Sequence, residues 1–387
     1  MIKKQDVIQE YTKKDGSKAY MFQLYLGTDP MTGKQKRTTR RGFSSRKEAL
    51  LARSRLMVEV EENGLEQQKK MLFKDVYELW FESAYKNTVK ESTYVKTQEM
   101  FRNHILPAFG SYRVDKISIK YCQLTVNAWC LKLAKYRMLK NYVTKVLDYA
   151  ITIETLKSNP MRKITMPKRK EVIDEEKEEN FYSKEELKTF LKHVENDFYI
   201  KWYAIFRTLA FTGFRKGELL ALQWKDINFE ESTITVSKAL ARGENNRLVI
   251  QSPKNKSSAR TISVDQVTMD VLKKWRKQQA IDMLKFGFNT MNQTQAVFTT
   301  LENKYIQPAN TTNRINQIIE RHGLKKITVH GLRHTHCSLL FESGAAIEVV
   351  KERLGHSDIK TTMSIYTHVT KERIEKTADQ FAKYVNF

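Results

Sequence analysis

The sequence predicts a multidomain protein, mainly α with small β-sheets: an α+β unit, an all-α unit, then a mostly α unit with a small antiparallel sheet. Three observations lead there. The chain has 387 residues, more than one ordinary core organises. Apolar residues recur with period two near the amino terminus and with helical spacing through most of the remainder. Residues 169–182, RKEVIDEEKEENFY, mix both charge signs without a periodic core and read as a linker. The expected division is therefore 1–66, 71–168, the linker 169–182, and 183–387.

In the first unit, segments near 6–12, 18–26 and 34–41 have strand character. Asp15-Gly16 separates the first pair and Thr28 to Gly33 the second, both hairpin signals. Tyr20, Phe22, Leu24 and Leu26 alternate as one buried face requires. Ser44 or Ser45 is placed to cap a helix running to about Glu62, which Asn63-Gly64 ends. The other sheet face is expected to be free and to carry Lys34, Lys36, Arg37, Arg40 and Arg41. A basic ribbon of this kind can enter a DNA major groove; lysines defending an edge strand are the plainer alternative.

The second unit shows helical spacing through Phe73, Val76, Tyr77, Leu79, Trp80 and Phe81. Ser92 is expected to cap a helix over Tyr94 to His104, closed by Pro107 and Gly110. Segments 118–133 and 136–156 continue the pattern to Ser158-Asn159-Pro160. Lys90, Lys96, Lys140 and Lys145 fall on polar faces, where phosphate contact and plain solvation compete. In the third unit Ser183 and Glu186 have capping-box spacing. Strands are expected near 232–237, 247–251 and 259–264, the last two flanking a basic turn.

Lys and Arg number 68 against 44 Asp and Glu, a formal net charge of +24. The excess is spread along the chain and points to a polyanionic partner through counterion release. The start lacks an apolar signal-peptide core, and no apolar run approaches membrane-spanning length. Cys122, Cys130 and Cys337 are odd in number and far apart, as expected of reduced thiols in the cytoplasm.

Chemistry concentrates in the third unit. Arg215 follows the turn Thr212-Gly213, and Glu218, one helical turn on, could hold its guanidinium. An ordinary helical Arg–Glu pair is the alternative. Lys254 lies in a basic cluster with Lys256 and Arg260, suited to a DNA backbone or to proton donation. His330 and Arg333 are three apart and share one helix face. His330 and His334 also have i, i+4 metal spacing, but no carboxylate or thiolate of obvious ligand spacing accompanies them. His356 follows Leu354-Gly355, and Tyr366 lies ten residues on; alone, one tyrosine of 17 reads as packing.

Arg215, Lys254, His330-x-x-Arg333, His356 and Tyr366, in this order, resemble the tyrosine recombinase (phage integrase) family. TGFRKGELLALQWKDI, HGLRHTHCSLL and LGHSDIKTTMSIYTHV resemble its signature blocks. The middle unit, with STY, HILPAFG and Asn159-Pro160, resembles its core-binding domain, and the first unit its amino-terminal arm-binding domain. The resemblance implies a site-specific DNA recombinase, the integrase of a phage or conjugative element. Arg215 and Arg333 would clamp the scissile phosphate. Tyr366 would attack phosphorus to give a 3′-phosphotyrosine, with His330 as base and Lys254 protonating the leaving oxygen. His356 would hydrogen-bond the phosphate, and Glu218 would support the arginines. No metal or cofactor is implied. The implied partners are double-stranded DNA at core-type and arm-type sites, a homotetramer on that DNA, a directionality factor and a host DNA-bending protein, with no membrane. The last segment, VTKERIEKTADQFAKYVNF, carries an apolar stripe of Ile374, Ala378, Phe381 and Val385 and would dock on a neighbouring protomer, with packing on its own domain as the alternative. A catalytically silent DNA-binding protein and a metal-dependent nuclease built on His330 and His334 are the competing readings.

Overall fold

The computed structural model describes residues 7–28, 33–63, 71–169, 179–252, 258–356 and 363. Contacts divide the chain into two units, one of Met1–Asn87 with Gln98–Lys170, the other of Thr88–Thr97 with Glu171–Phe387. Among the described residues no helix is long and apolar enough to cross a membrane.

The first unit opens with an antiparallel sheet of β1 (Gln9–Thr12), β2 (Lys18–Thr28) and β3 (Gln35–Phe43), in sequential order. Helix α1 (Arg46–Asn63) packs on β2, and Ser45 Oγ accepts from the Glu48 amide at 3.2 Å as its cap. The period-two reading holds here: Phe22 and Leu24 are buried with Ile8 and Ala49, and Tyr20 and Leu26 pack against them. The basic face needs correction. Directly opposed residues of an antiparallel pair point to the same side. Arg40 opposes the buried Phe22, so it lies on the helix side of the sheet; Arg37 and Arg41 oppose Tyr25 and Met21 and share the other face. Neighbouring residues on one strand alternate, so the five basic residues do not form one surface. All five are nonetheless exposed.

The helices α2 (Phe73–Trp80), α3 (Glu91–Met100), α4 (Leu106–Phe109), α5 (Ile119–Lys132) and α6 (Tyr136–Thr152) follow, with the Glu91–Thr97 part of α3 grouping with the second unit. Their core is aromatic. Tyr77 stacks on Phe101 with centroids 4.0 Å apart, and Trp80 stacks on Tyr85 at 4.6 Å. Asn159 closes α6's exit by bonding the Thr144 carbonyl at 2.9 Å and Asp148 Oδ1 at 2.7 Å. Helix α3 begins at Glu91, so Ser92 is not its cap; the Ser92 hydroxyl instead donates to Gln251 Oε1 at 2.9 Å.

The second unit contains α7 (Lys184–Asp197), α8 (Ile200–Thr212), α9 (Lys216–Leu220), the strands β4 (Ile227–Asn228), β5 (Thr233–Val236), β6 (Ala239–Arg242), β7 (Leu248–Gln251) and β8 (Arg260–Ser263), and the helices α10 (Gln266–Lys285), α11 (Pro308–His322), α12 (Gly331–Glu342) and α13 (Ile347–Leu354). The expected capping box of α7 is present, with Ser183 N donating to Glu186 Oε2 at 2.7 Å. The buried helix α8 packs on α7, α10 and α12 at the centre of the core. The expected single sheet is instead two. Strand β8 pairs with β5 in the order β4-β5-β8, while β7 pairs back on β6. Strand β6, ALAR, is short and weak in β-branched residues, which hid it from the period-two reading. Strands β7 and β8, expected to flank one basic turn, therefore belong to different sheets.

Candidate active site

The site is built where α8 ends. Gly213 caps α8 in the left-handed region at φ 64°. A Cβ there would meet Leu354 Cδ2 at 2.6 Å and His336 Cδ2 at 2.7 Å, so position 213 admits little beyond glycine on both conformation and space. That close approach lets the Gly213 carbonyl accept from Arg333 Nη1 at 2.6 Å. The chain then turns, and Arg215 becomes the residue preceding α9.

Glu218 sits at the centre and is only 3% exposed. Its carboxylate accepts from the Arg215 amide at 3.0 Å, from Arg215 Nη1 at 2.7 Å and from Arg260 Nη2 at 3.2 Å. Burial pushes its pKa up, but the Arg260 charge and the Arg215 hydrogen bonds outweigh burial and hold the carboxyl below its ordinary range. Arg333, on the first turn of α12, is 2% exposed. Its second nitrogen donates to the Leu354 carbonyl at 2.8 Å. Arg215 Nη2 reaches the adjacent Gly355 carbonyl at 3.3 Å. Both guanidiniums thus converge on the turn after α13 that carries His356. Burial and then the Arg215 charge push the Arg333 pKa down to about 9, which leaves it cationic at neutral pH. The Arg215 side chain stays 39% exposed and is the outward face of the cluster.

His330 immediately precedes α12 and keeps an exposed edge; its ring meets His334 edge-on with centroids 4.8 Å apart. Packing, His334 and then Arg333 push its pKa down to about 4. Burial and then Arg333 and Arg215 push His356 to about 4 as well. Both imidazoles are neutral at pH 7, beside guanidiniums that outnumber the one carboxylate they share. This is an anion site with two neutral proton acceptors, and a phosphodiester bound there would offset the charge that keeps them low.

Of the catalytic and supporting positions expected from the sequence, Arg215, Glu218, Arg333 and His356 come together as just described, and His330 stands at the same helix start as Arg333. Lys254 lies outside the described residues, as do Tyr366, Lys256 and the terminal apolar stripe. Arg260 departs from its expected place among DNA contacts. Its side chain is 7% exposed, and its guanidinium donates to Arg353 O at 2.7 Å, Ser258 O at 3.0 Å and Glu218. The pairing of β8 with β5 carries it inward, beneath the carboxylate. Lys90 donates to the Ser252 carbonyl at 2.7 Å, next to the Glu91–Arg247 ion pair at 2.9 Å. Lys96 and Lys145 are exposed and Lys140 half-buried; Lys145 Nζ lies 5.9 Å from the Tyr85 and Tyr142 ring centroids.

Sequence reasoning missed His336 and Arg353. His336 Nδ1 donates to the Ala210 carbonyl at 2.8 Å, and its Nε2 accepts from Arg353 Nε at 3.1 Å. Arg353 also holds the Phe211 carbonyl at 3.2 Å. Together they bind the end of α8 to the end of α13, and so fix the separation of Gly213 from Leu354. The available signal was His336 standing three residues after Arg333, on the same helix face.

The chain is similar to known proteins along most of its length. The phage integrase family profile matches residues 180–373, the N-terminal SAM-like domain profile 72–130, and the arm DNA-binding domain profile 7–60. The chain is 28% identical to the ICEBs1 integrase of Bacillus subtilis over 365 residues, spanning 93% of this chain and 96% of that one. It is 27% identical to the integrase of Staphylococcus phage L54a over 340 residues, 81% and 92% of the two chains. Among solved structures, a Tn1549 transposon integrase in complex with a circular intermediate DNA superposes with a TM-score of 0.64 at 20% identity, covering 79% of this chain and 99% of that one. A lambda integrase dimer bound to a core site gives 0.55 at 14% identity, covering 92% and 93%. Its profile match and its fold together place the chain in the phage integrase family, the tyrosine-type site-specific DNA recombinases.

Proposed function

We propose that this recombinase cuts and rejoins DNA to integrate and excise a mobile element, with Tyr366 as nucleophile and Arg215, Lys254, His330, Arg333 and His356 around the scissile phosphate. The observation that supports it most is the convergence of Arg215 and Arg333 on the turn carrying His356, with Glu218 fixing Arg215. Arg215 presents its exposed edge to a non-bridging phosphate oxygen, while the buried Arg333 supplies charge behind it. Attack by the Tyr366 oxygen on phosphorus forms the tyrosyl–phosphate bond and breaks the bond to the 5′ oxygen. A free tyrosine has a pKa of about 10, so a base must take its proton. His330 is that base: it is neutral, and the bound phosphate raises its affinity for a proton by offsetting the guanidiniums. Lys254 returns a proton to the leaving 5′ oxygen, and His356 hydrogen-bonds the phosphate. The covalent link conserves the phosphoester for rejoining, so the chemistry asks for no metal in this site.

The same reading assigns arm-type DNA to residues 1–66, core-type DNA to 71–168 with 183–387, and assembly as a homotetramer through the terminal segment. Lys34, Lys36, Arg37, Arg40, Arg41, Lys96, Lys140, Lys145 and Lys256 are its backbone contacts. A directionality factor, a host DNA-bending protein and a cytoplasmic, nucleoid-associated location complete it.

The deciding experiment uses a nicked suicide substrate carrying the attachment site, without added magnesium. The intact chain should form a covalent protein–DNA adduct and Tyr366→Phe none. Adduct formation by Tyr366→Phe would end the assignment.

A further inference from the structure

Away from the anion site, helices α7 and α11 bring together a second set of side chains. His193 and Asp197 stand one turn apart on α7, and His322 is the last residue of α11. The two imidazoles stack with centroids 4.0 Å apart and planes 19° apart. Asp197 Oδ2 lies 3.1 Å from His322 Nε2 and 3.8 Å from His193 Nδ1. One ligand atom from each residue lies within 4.8 Å of the others, the single such group of three or more among the described residues. His322 Nε2 is buried and, although Asp197 Oδ2 is near, it has no hydrogen-bond partner. A buried ring nitrogen left unpartnered this way costs free energy unless something else takes it up.

We propose that His193, Asp197 and His322 form a binding site for a divalent transition cation of the zinc type, which clamps α11 onto α7. The chemistry of the set selects the ion. Two imidazoles and one carboxylate suit zinc, cobalt or nickel and suit magnesium poorly. A tetrahedral zinc with ligands about 2.0–2.1 Å away spaces its donor atoms roughly 3.3 Å apart. The observed 3.1 and 3.8 Å bracket that spacing; the stacked rings must turn about their side-chain torsions until both ring planes pass through the ion. His193 and Asp197 remain partly exposed, which leaves an entry path and room for water as a fourth ligand. The clamp is structural: α11 packs on α9, the helix that carries Glu218, as well as on α7.

The test is calorimetric titration of the full, untagged chain with zinc chloride, repeated with magnesium chloride, and followed by thermal unfolding with and without zinc. The intact chain should bind one equivalent of zinc saturably, show no comparable magnesium binding, and unfold at a higher temperature with zinc present. His193→Gln and His322→Gln should each weaken zinc binding by more than the about 10-fold that removing a residue behind the ligands costs, and abolish the thermal shift. His193 is partly exposed, so its variant keeps the fold if His322→Gln does not. No saturable zinc binding by the intact chain, or equal binding by His193→Gln, overturns the proposal. The readout is independent of recombination, so it stands or falls apart from the assignment of Tyr366.

Discussion

Arg37 and Arg41 on β3 and Arg260 and Arg333 in the second unit are the same side chain in opposite surroundings. The first pair is exposed on an open sheet face, where Arg37's partner is the exposed Gln35 at 3.2 Å. The second pair is nearly sealed, and each guanidinium is held by two or more buried acceptors. Exposed arginines contribute to binding singly, through counterion release, and matter little to folding. Buried arginines are part of the fold; removing a partner strands a charge in a medium that solvates it poorly. One chain therefore uses one residue type as an adjustable electrostatic surface and as fixed architecture.

The largest effect that would break this contrast is expected at Glu218. Glu218→Gln leaves Arg215 and Arg260 without their shared carboxylate and should cost about 3–5 kcal/mol of stability, read by denaturant unfolding. A loss below about 1 kcal/mol would mean that solvent reaches the cluster. Gly213→Ala is next, at about 2–4 kcal/mol, from left-handed backbone strain plus repacking of Leu354 and His336. It should also lower cleavage, since the Gly213 carbonyl positions Arg333.

Acid should act in the same direction. His330 and His356 have pKa values of about 4 in the folded chain, and His336, held between burial and Arg353, about 3. The unfolded values are near 6.5, so between about pH 6.5 and 4 the unfolded chain binds protons that the folded chain refuses. Stability is full above that window and falls as pH drops through it. His336 alone should account for roughly 2.5 kcal/mol between pH 7 and 4.5, and His336→Gln should flatten that part of the profile. A transition midpoint independent of pH over this range would contradict the packing around these rings.

The smallest stability effect belongs to the ribbon. Arg37→Ala with Arg41→Ala should change stability by no more than about 0.5 kcal/mol. On arm-site DNA the same change should weaken binding and reduce the salt slope by about one for each phosphate that is no longer neutralised. Arg40→Ala, on the helix side of the sheet, should alter DNA binding less. Equal effects on DNA binding at Arg40 and Arg41 would show that the sheet face does not define the contact.

Local signals carried much of the fold. The period-two run from Tyr20 to Leu26, the Ser183–Glu186 capping box and the Thr212-Gly213 turn depend on neighbours within a few residues, and each appears where expected. The site was legible in part for the same reason: Arg215 with Glu218 and His330 with Arg333 are helical-turn neighbours. Arg260 was not legible, because its direction depends on which distant strand β8 joins, and sequence adjacency to Lys254 and Lys256 suggested a shared surface. His336 with the Ala210 carbonyl, and His193 and Asp197 with His322, join helices far apart in the chain.

The sequence by itself determined the order of structural units, the excess of positive charge and the residue types available for phosphate chemistry, because these rest on composition, periodicity and short-range geometry. Only the tertiary structure decided which arginines are sealed and which are open, that the strands of the second unit form two sheets, and that two histidines and an aspartate meet at the end of α11. Those outcomes depend on long-range pairing. A hydrogen bond or an ion pair forms wherever packing brings its partners together, and periodicity carries no record of the distance between them along the chain.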